Sequence, residues 1–147
     1  MIKEIKTGSE EETGIFAENF ARGLQTGTVI ALHGDLGAGK TVFARGFARG
    51  LGITENVLSP TYTIIQEYKL KNGRWFYHLD LYRIKDSNSA LAFGADEYIQ
   101  SPLAISLIEW AERVPELLPP DAIHIEITHI SQNERGIEVN QSQVLRQ

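Results

Sequence analysis

Residues 34–41 read Gly-Asp-Leu-Gly-Ala-Gly-Lys-Thr, which fits the pattern G-x-x-x-x-G-K-[S/T]. Residues 28–32, which precede His33, are Thr-Val-Ile-Ala-Leu. Such a continuous apolar run is typical of a strand that is covered on both faces in a parallel sheet. After the pattern, Phe43 and Phe47 recur at helical spacing. A buried strand, a glycine loop and an amphipathic helix in this order predict a phosphate-binding loop, and a glycine turn that binds nothing is the disfavoured interpretation.

Each residue type in this loop has a physical reason to be there. Glycines such as Gly34, Gly37 and Gly39 let main-chain N–H groups converge on phosphate oxygens, and the start of a helix adds its positive dipole end. Lys40 supplies positive charge to the β- and γ-phosphates, and the hydroxyl of Thr41 is a ligand for Mg²⁺. The loop therefore predicts a nucleotide site, with ATP and Mg²⁺ as the expected ligands.

A magnesium site of this kind usually adds an acidic residue at the end of a neighbouring buried strand. The chain offers Glu109, which ends the apolar run Leu103–Ile108, and Asp80, which ends a second strand-like run. We expect Glu109 to serve the metal and Asp80 to orient the attacking water or sense the γ-phosphate. For either residue, a solvated carboxylate paired with an arginine such as Arg83 is the alternative interpretation.

The segment Ser59-Pro60-Thr61 has the hydroxyls and the loop position of a switch that orders when a γ-phosphate is bound. A turn whose hydroxyls satisfy local main-chain groups explains the same residues equally well. The four histidines, His33, His78, His124 and His129, show no metal-ligand spacing, and packing or surface positions are expected for them.

Further patterns complete an α/β fold. Ser9 and Glu12 form a capping box ahead of a first helix, with Glu12 expected to reach back to Ser9. Asn72-Gly73 lies between two strand-like runs and predicts a hairpin, and alternating isoleucines predict a final strand pair. The predicted fold is a mixed sheet like that of P-loop NTPases, with a parallel centre, antiparallel hairpins and flanking helices. It forms one domain, residues 1–147, in which residues 140–147 are a frayed tail.

Composition narrows the classes of function. The net charge of −5 disfavours a protein that grips a nucleic-acid backbone directly. The absence of cysteine excludes disulfides and thiolate metal sites. Because no apolar stretch is long enough to span a bilayer and the start does not resemble a signal peptide, we expect a cytoplasmic protein without membrane contact.

Four blocks together resemble the TsaE family, formerly called YjeE, in order and in spacing. They are the loop 34–41, Ser59-Pro60-Thr61-Tyr62, the segment His-Leu-Asp-Leu-Tyr-Arg at 78–83, and Ile-Glu-Trp-Ala-Glu at 108–112. The resemblance runs from about Ser9 to Arg135. It implies an ATPase required for threonylcarbamoyl modification of adenosine 37 in tRNAs that read codons beginning with A. It also implies action through the partner proteins TsaD and TsaB, with tRNA reached only indirectly through that complex.

The resemblance further implies roles for individual residues. Thr41 and Glu109 would hold Mg²⁺, residues 37–42 (Gly37, Ala38, Gly39, Lys40, Thr41 and Val42) would wrap the phosphates, and Asp80 would act with Lys40 in hydrolysis. Thr13, Glu112 and Arg135 would lie near the nucleotide. One departure concerns Val42, because many relatives have a threonine there and this chain would keep only the main-chain N–H contact to the α-phosphate.

Two other functions remain open from the sequence. A small-molecule kinase is disfavoured because nothing between Arg83 and Leu103 looks like an arginine-rich lid. A nucleotide-gated binding module without essential turnover is hardly distinguishable from a slow ATPase. A GTPase is disfavoured because no Asn-Lys-x-Asp segment follows the second central strand.

Overall fold

The computed structural model describes residues 2–35, 38–54 and 64–141, and in that part of the chain seven strands form one sheet. The strand order across the sheet is β1-β7-β6-β2-β5-β4-β3. In chain order the elements are β1 (Ile2–Thr7), α1 (Glu10–Arg22), β2 (Val29–His33), α2 (Lys40–Gly50), β3 (Ile65–Lys69), β4 (Trp75–Asp80), α3 (Ser87–Phe93), α4 (Ala95–Ile99), β5 (Ala104–Glu109), β6 (Ile123–His129) and β7 (Arg135–Gln141).

The centre of the sheet is parallel and its margins are antiparallel. Strand β2 pairs in parallel with β5 on one side and with β6 on the other, and β4 pairs in parallel with β5. The margins add β3 against β4 and β7 against β6, with β1 outside β7. The mixed sheet with a parallel centre and flanking helices, predicted from the sequence, is confirmed.

Helices α1 and α2 cover one face of the sheet. Their small and aromatic residues, among them Ala17, Ala21, Phe43 and Phe47, are fully buried against the sheet. Ser9 caps α1 by accepting a hydrogen bond from the Glu12 N–H at 3.1 Å. The other half of the predicted capping box is wrong by one residue, because the Glu12 carboxylate accepts from the N–H of Gly8 and so closes a wider turn.

On the opposite face, the described residues form a second apolar cluster over β2, β5 and β4. There α3 and α4, followed by the 3-10 turns Ala111–Arg113 and Pro115–Leu117, bury a second set of apolar residues that includes Ala90, Ile99 and Val114. On β6, the isoleucines at 123, 125 and 127 are buried while His124 and Glu126 are exposed. This alternation is the sequence signature of a half-covered antiparallel margin.

The hairpin predicted at Asn72-Gly73 joins β3 to β4. Both residues adopt the left-handed conformation, with φ of 63° at Asn72 and 74° at Gly73, which asparagine and glycine tolerate best. Strand β7 continues to Gln141, which pairs with Ile123. Of the predicted tail, 140 and 141 therefore belong to a strand, and 142–147 lie outside the described residues.

None of the helices in the described ranges has the length and apolar character required to cross a lipid bilayer.

Candidate functional site

The phosphate-binding loop, residues 34–41, leaves the carboxyl end of β2. Gly34 has a φ of 154°, and a Cβ built there would lie 2.8 Å from the carbonyl oxygen of Ile127 on β6. Gly39, with a φ of 106°, is the N-cap residue of α2. A side chain is thus excluded at Gly34 by crowding and disfavoured at Gly39 by backbone conformation. Gly37 lies outside the described residues.

Helix α2 begins at Lys40 without a side-chain cap. Of the residues predicted to meet phosphates, Lys40, Thr41 and Val42 occupy its first turn, where all three are partly exposed, and Ala38 is buried just before it. Uncapped N–H groups and the positive dipole end at the start of a helix favour an anion. The charge and hydrogen-bonding groups at this point fit a phosphate.

The two acidic residues predicted from the sequence end neighbouring strands. Glu109 pairs with Leu32 of β2 on one side and with Asp80 of β4 on the other. Three strand ends, those of β2, β5 and β4, therefore lie side by side at one edge of the sheet. In open α/β sheets this carboxyl edge is where ligands bind.

Glu109 is buried and has a buried partner that the sequence analysis did not assign to the site. His78, two residues before Asp80 on β4, places its Nε2 2.8 Å from Glu109 Oε2. The two side chains are only 1% and 5% exposed. The earlier expectation that His78 serves packing alone was incomplete, because a local pattern on β4 could not show that β5 would present a carboxylate to it.

Asp80 is half-buried, and its main-chain neighbour Tyr82 donates an N–H to Oδ1 at 3.0 Å. Burial raises the pKa of the Asp80 carboxyl above its ordinary value, and the charge of Glu109 adds to this rise. The Tyr82 hydrogen bond and the charges of His78 and Lys40 act in the opposite direction on the same pKa. A carboxylate with a raised pKa is better suited to accept a proton than an ordinary aspartate.

An aromatic residue follows Glu109 directly and covers Lys40. Trp110 has a φ of 61° and a ψ of 35°, a left-handed conformation uncommon for a bulky residue. Its ring lies 4.8 Å from Lys40 Nζ, 5.1 Å from the ring of Tyr82 and 5.4 Å from the guanidinium carbon of Arg113. The Lys40 ammonium thus rests on an aromatic face beside the loop, where cation–π attraction holds it.

Arg135, the first residue of β7, contacts the loop. Its Nε donates to the carbonyl oxygen of Ala38 at 3.0 Å, and its Nη1 donates to main-chain oxygens of the turn between β6 and β7, at 2.8 Å for Ser131. The guanidinium therefore ties the loop to the hairpin. The residue therefore lies beside the loop.

Glu112 lies on the other face of the sheet, in the 3-10 turn after Trp110. Its Oε2 accepts from His33 Nδ1 at 3.1 Å, and His33 Nε2 is 3.0 Å from His124 Nδ1. Burial and the neighbouring His33 lower the pKa of His124, which favours the neutral form of the His124 ring. His33 and His124 thus support Glu112, a role that sequence spacing did not reveal.

Thr13 is buried in α1. Its hydroxyl is 2.6 Å from that of Thr7 and 3.2 Å from the Ser9 carbonyl oxygen. In this conformation the hydroxyl of Thr13 joins β1 to α1. The switch-like residues Ser59, Pro60 and Thr61 lie outside the described residues.

Across the described ranges, no group of three or more histidine or acidic side chains is arranged to enclose a metal ion. Magnesium in phosphate sites keeps several waters and needs only one or two protein ligands beside the phosphates. The Thr41 hydroxyl and the buried Glu109 carboxylate fit that demand. Glu109 Oε2 accepts a hydrogen bond from His78 Nε2.

Comparison with known proteins identifies a family. Residues 7–137 match the family model described as threonylcarbamoyl adenosine biosynthesis protein TsaE. The tRNA threonylcarbamoyladenosine biosynthesis protein TsaE of Bacillus subtilis is 44% identical over 138 residues, which cover 92% of this chain and 85% of that protein. The corresponding protein of Rickettsia typhi is 37% identical and covers 93% and 94%.

A solved structure is similar as well. The crystal structure of Bacillus subtilis YdiB superposes with a TM-score of 0.77 at 40% sequence identity, covering 96% of this chain and 87% of that chain. The two chains share one fold over nearly the whole length of this chain, and their 40% identity agrees with the family match. The chain therefore belongs to the TsaE family.

Proposed function

We propose that this protein binds MgATP on the phosphate-binding loop and hydrolyses it slowly, in support of threonylcarbamoyl modification of tRNA adenosine 37. The single observation that supports the proposal best is the convergence of three strand ends. The loop follows β2, buried Glu109 ends β5, and Asp80 ends β4. All three therefore lie at one edge of the sheet. Family membership supports the part in tRNA modification.

The residues of the site have separate roles in phosphate binding, metal binding and hydrolysis. The N–H groups of 37–42 and the Lys40 ammonium bind the phosphates, and this requires Lys40 to leave the Trp110 ring. Thr41 and Glu109 hold Mg²⁺, which neutralises charge on the phosphates when it is bound. Asp80, with its raised pKa, orients the attacking water and accepts its proton.

The remaining site residues shape the surroundings of the nucleotide. Arg135 holds the loop in place through the Ala38 carbonyl and presents its positive charge beside Gly39. Glu112, fixed by His33, lies on the turn that follows Trp110. We place Thr13 near the nucleotide through its position at the start of α1 and assign it no contact. Ser59–Thr61 would sense the γ-phosphate.

The protein partners we propose are TsaD and TsaB, in the cytoplasm, where the tRNA is modified. The net charge of −5 supports this, because a negatively charged protein is repelled by tRNA and reaches it better through other proteins. Slow, partner-dependent hydrolysis would then set how long the complex with TsaD and TsaB persists.

Nucleotide titration tests the binding step. In a Trp75→Phe background, Trp110 is the sole tryptophan, and its fluorescence reports occupation of the adjacent loop. MgATP should change this signal, and Lys40→Ala should weaken binding at least about tenfold, which is the loss of one charge-assisted contact. Lys71→Ala, at the exposed hairpin tip, is the control. Equal ATP affinity in the Lys40 and Lys71 variants would overturn the phosphate assignment.

Partner capture tests the second step. TsaD and TsaB should be retained by the protein in a nucleotide-dependent manner when ATP, ADP and no nucleotide are compared. A hydrolysis-deficient Asp80→Ala variant should still capture them but fail to support repeated rounds of modification. Full modification by that variant would favour a binding module, and phosphate transfer to a metabolite faster than hydrolysis would favour a kinase.

A further inference from the structure

His78 lies where it can fix the orientation of Glu109. On β4 the residues Phe76, His78 and Asp80 point to the face covered by α1 and α2, and on β5 Glu109 points to that same face. The imidazole stacks against the Phe76 ring, with centroids 6.2 Å apart and planes 13° apart. Phe76 in turn contacts Phe47 of α2 at 5.6 Å. The ring of His78 is therefore held by the core.

The hydrogen bonds of the His78 ring show which of its two nitrogens carries the proton. Because a carboxylate accepts only, the 2.8 Å contact requires the proton on His78 Nε2. The other nitrogen, Nδ1, is buried and has no partner among the described residues. A buried polar atom without a partner carries a desolvation cost that folding alone gives no reason to retain. An apolar side chain would fill the same position without that cost.

We propose that His78 is a positioning residue for the magnesium site. By binding Oε2, its Nε2–H fixes the carboxylate of Glu109 in one rotamer and directs Oε1 toward the metal or one of its waters. Partners that orient a metal ligand in this way typically contribute about 10- to 100-fold to metal affinity. The inference rests on the proposed function, since it concerns the Mg²⁺ of the proposed MgATP site.

Two substitutions separate positioning from packing. His78→Gln keeps an N–H donor near the place of Nε2, whereas His78→Met keeps the length and the apolar volume but donates nothing. Both are made in the Trp75→Phe background. ATP binding is followed by Trp110 fluorescence as Mg²⁺ is titrated and again in EDTA, and the melting temperature is recorded for each variant.

We expect His78→Met to raise the Mg²⁺ concentration for half-maximal ATP binding by about tenfold or more. His78→Gln should restore it to within about threefold, and ATP binding in EDTA should be alike in all three proteins. Unchanged Mg²⁺ dependence in His78→Met, or an equal shift in both variants, would overturn the inference. Wild-type protein that binds ATP without any effect of Mg²⁺, or binds none, would instead overturn the proposed function and this inference with it.

If His78→Met does not fold, His78→Asn takes its place, because its shorter amide cannot reach Glu109 Oε2. The Asn variant should then show the shifted Mg²⁺ dependence and the Gln variant should not. Equal Mg²⁺ dependence of the Asn and Gln variants would count against a positioning role.

Discussion

Asp80 combines a position at the proposed nucleotide site with an electrostatic disadvantage for folding. Burial and the charge of Glu109 raise the pKa of its carboxyl, so the folded protein binds this proton more tightly than the unfolded chain does. Stability therefore falls as the pH rises from the unfolded pKa through the folded pKa. At neutral pH the charged Asp80 destabilises the fold.

Asp80→Asn should raise the melting temperature at pH 7.5 by about 1–3 °C, the size expected for a change below 1 kcal/mol. The amide oxygen can still accept from the Tyr82 N–H, so only the charge is lost. The gain should shrink as the pH falls through the ordinary aspartate pKa of about 3.9 and vanish only well below it, where the carboxyl is protonated in both states. Hydrolysis of ATP should fall by about 100-fold or more.

Asp86→Asn is the matched control for that prediction. Hydrogen bonds from Ser89 lower the pKa of the Asp86 carboxyl, which is the opposite direction. Its charge therefore adds stability above the unfolded pKa, and this contribution is lost as the pH falls through the folded pKa. A higher melting temperature for both variants at pH 7.5 would show that the gain does not come from the buried position of Asp80, and an unchanged or lower value for Asp80→Asn would contradict the sign assigned to Asp80.

Which residues could be predicted depended on how local their signals are. Lys40 and Thr41 stand in a contiguous motif, and Glu109 and Asp80 end recognisable strands. The bond of His78 to Glu109 spans 31 positions and that of Arg135 to Ala38 spans 97. Such contacts follow from strand register and hairpin placement, which no single segment encodes.

At the level of elements, α1 and α2 approach each other so closely that main chain meets main chain. A Cβ built at Gly46 would lie 2.3 Å from the carbonyl oxygen of Gly14, and one built at Gly50 would lie 2.2 Å from that of Glu18. This approach sets the position of α2, whose first turn carries Lys40. Two glycines in one helix usually weaken it, and here the contact explains why they occur.

Gly46→Ala should lower the free energy of unfolding by about 2 kcal/mol, because the helices must separate to admit the methyl group. Gly23→Ala at the end of α1 is the control, since a Cβ there meets its nearest atom at 3.9 Å. Urea unfolding followed by circular dichroism measures both. An unchanged midpoint for Gly46→Ala would show that the two helices can move apart without loss.

Most elements followed from periodicity, and their order in the sheet did not. Apolar runs identified β2 and β5 as central strands because both faces are covered there, and alternation identified β6 as half-exposed. The insertion of β5 between β2 and β4 depends on long crossovers. Crossover position is a matter of tertiary packing and left no mark in local spacing.

For the whole molecule, ligand binding should appear as stability. A ligand that binds only the folded state at a concentration 100 times its dissociation constant adds about 2.7 kcal/mol. For a domain of this length, that corresponds to a rise in melting temperature of about 5–10 °C. We expect this rise with MgATP in thermal denaturation, and its absence with Lys40→Ala would place the effect at the loop. An equal rise in the Lys40 variant would locate binding elsewhere.

The isolated protein should not bind tRNA appreciably. With a net charge of −5 it lacks the counterion release that drives association with a phosphate backbone. Filter binding at about 50 mM salt, where such attraction is strongest, should show no retention, and retention should appear once TsaD and TsaB are added. Tight binding by the protein alone would contradict the indirect role.

The bond from Arg135 to Ala38 also orders events during synthesis. The loop leaves the ribosome early, but the guanidinium that holds it belongs to the last hairpin, 97 positions later. A nascent chain that ends before β7 therefore has the motif without its restraint. On the proposed function, a product that ends before Arg135 should therefore bind nucleotide less tightly.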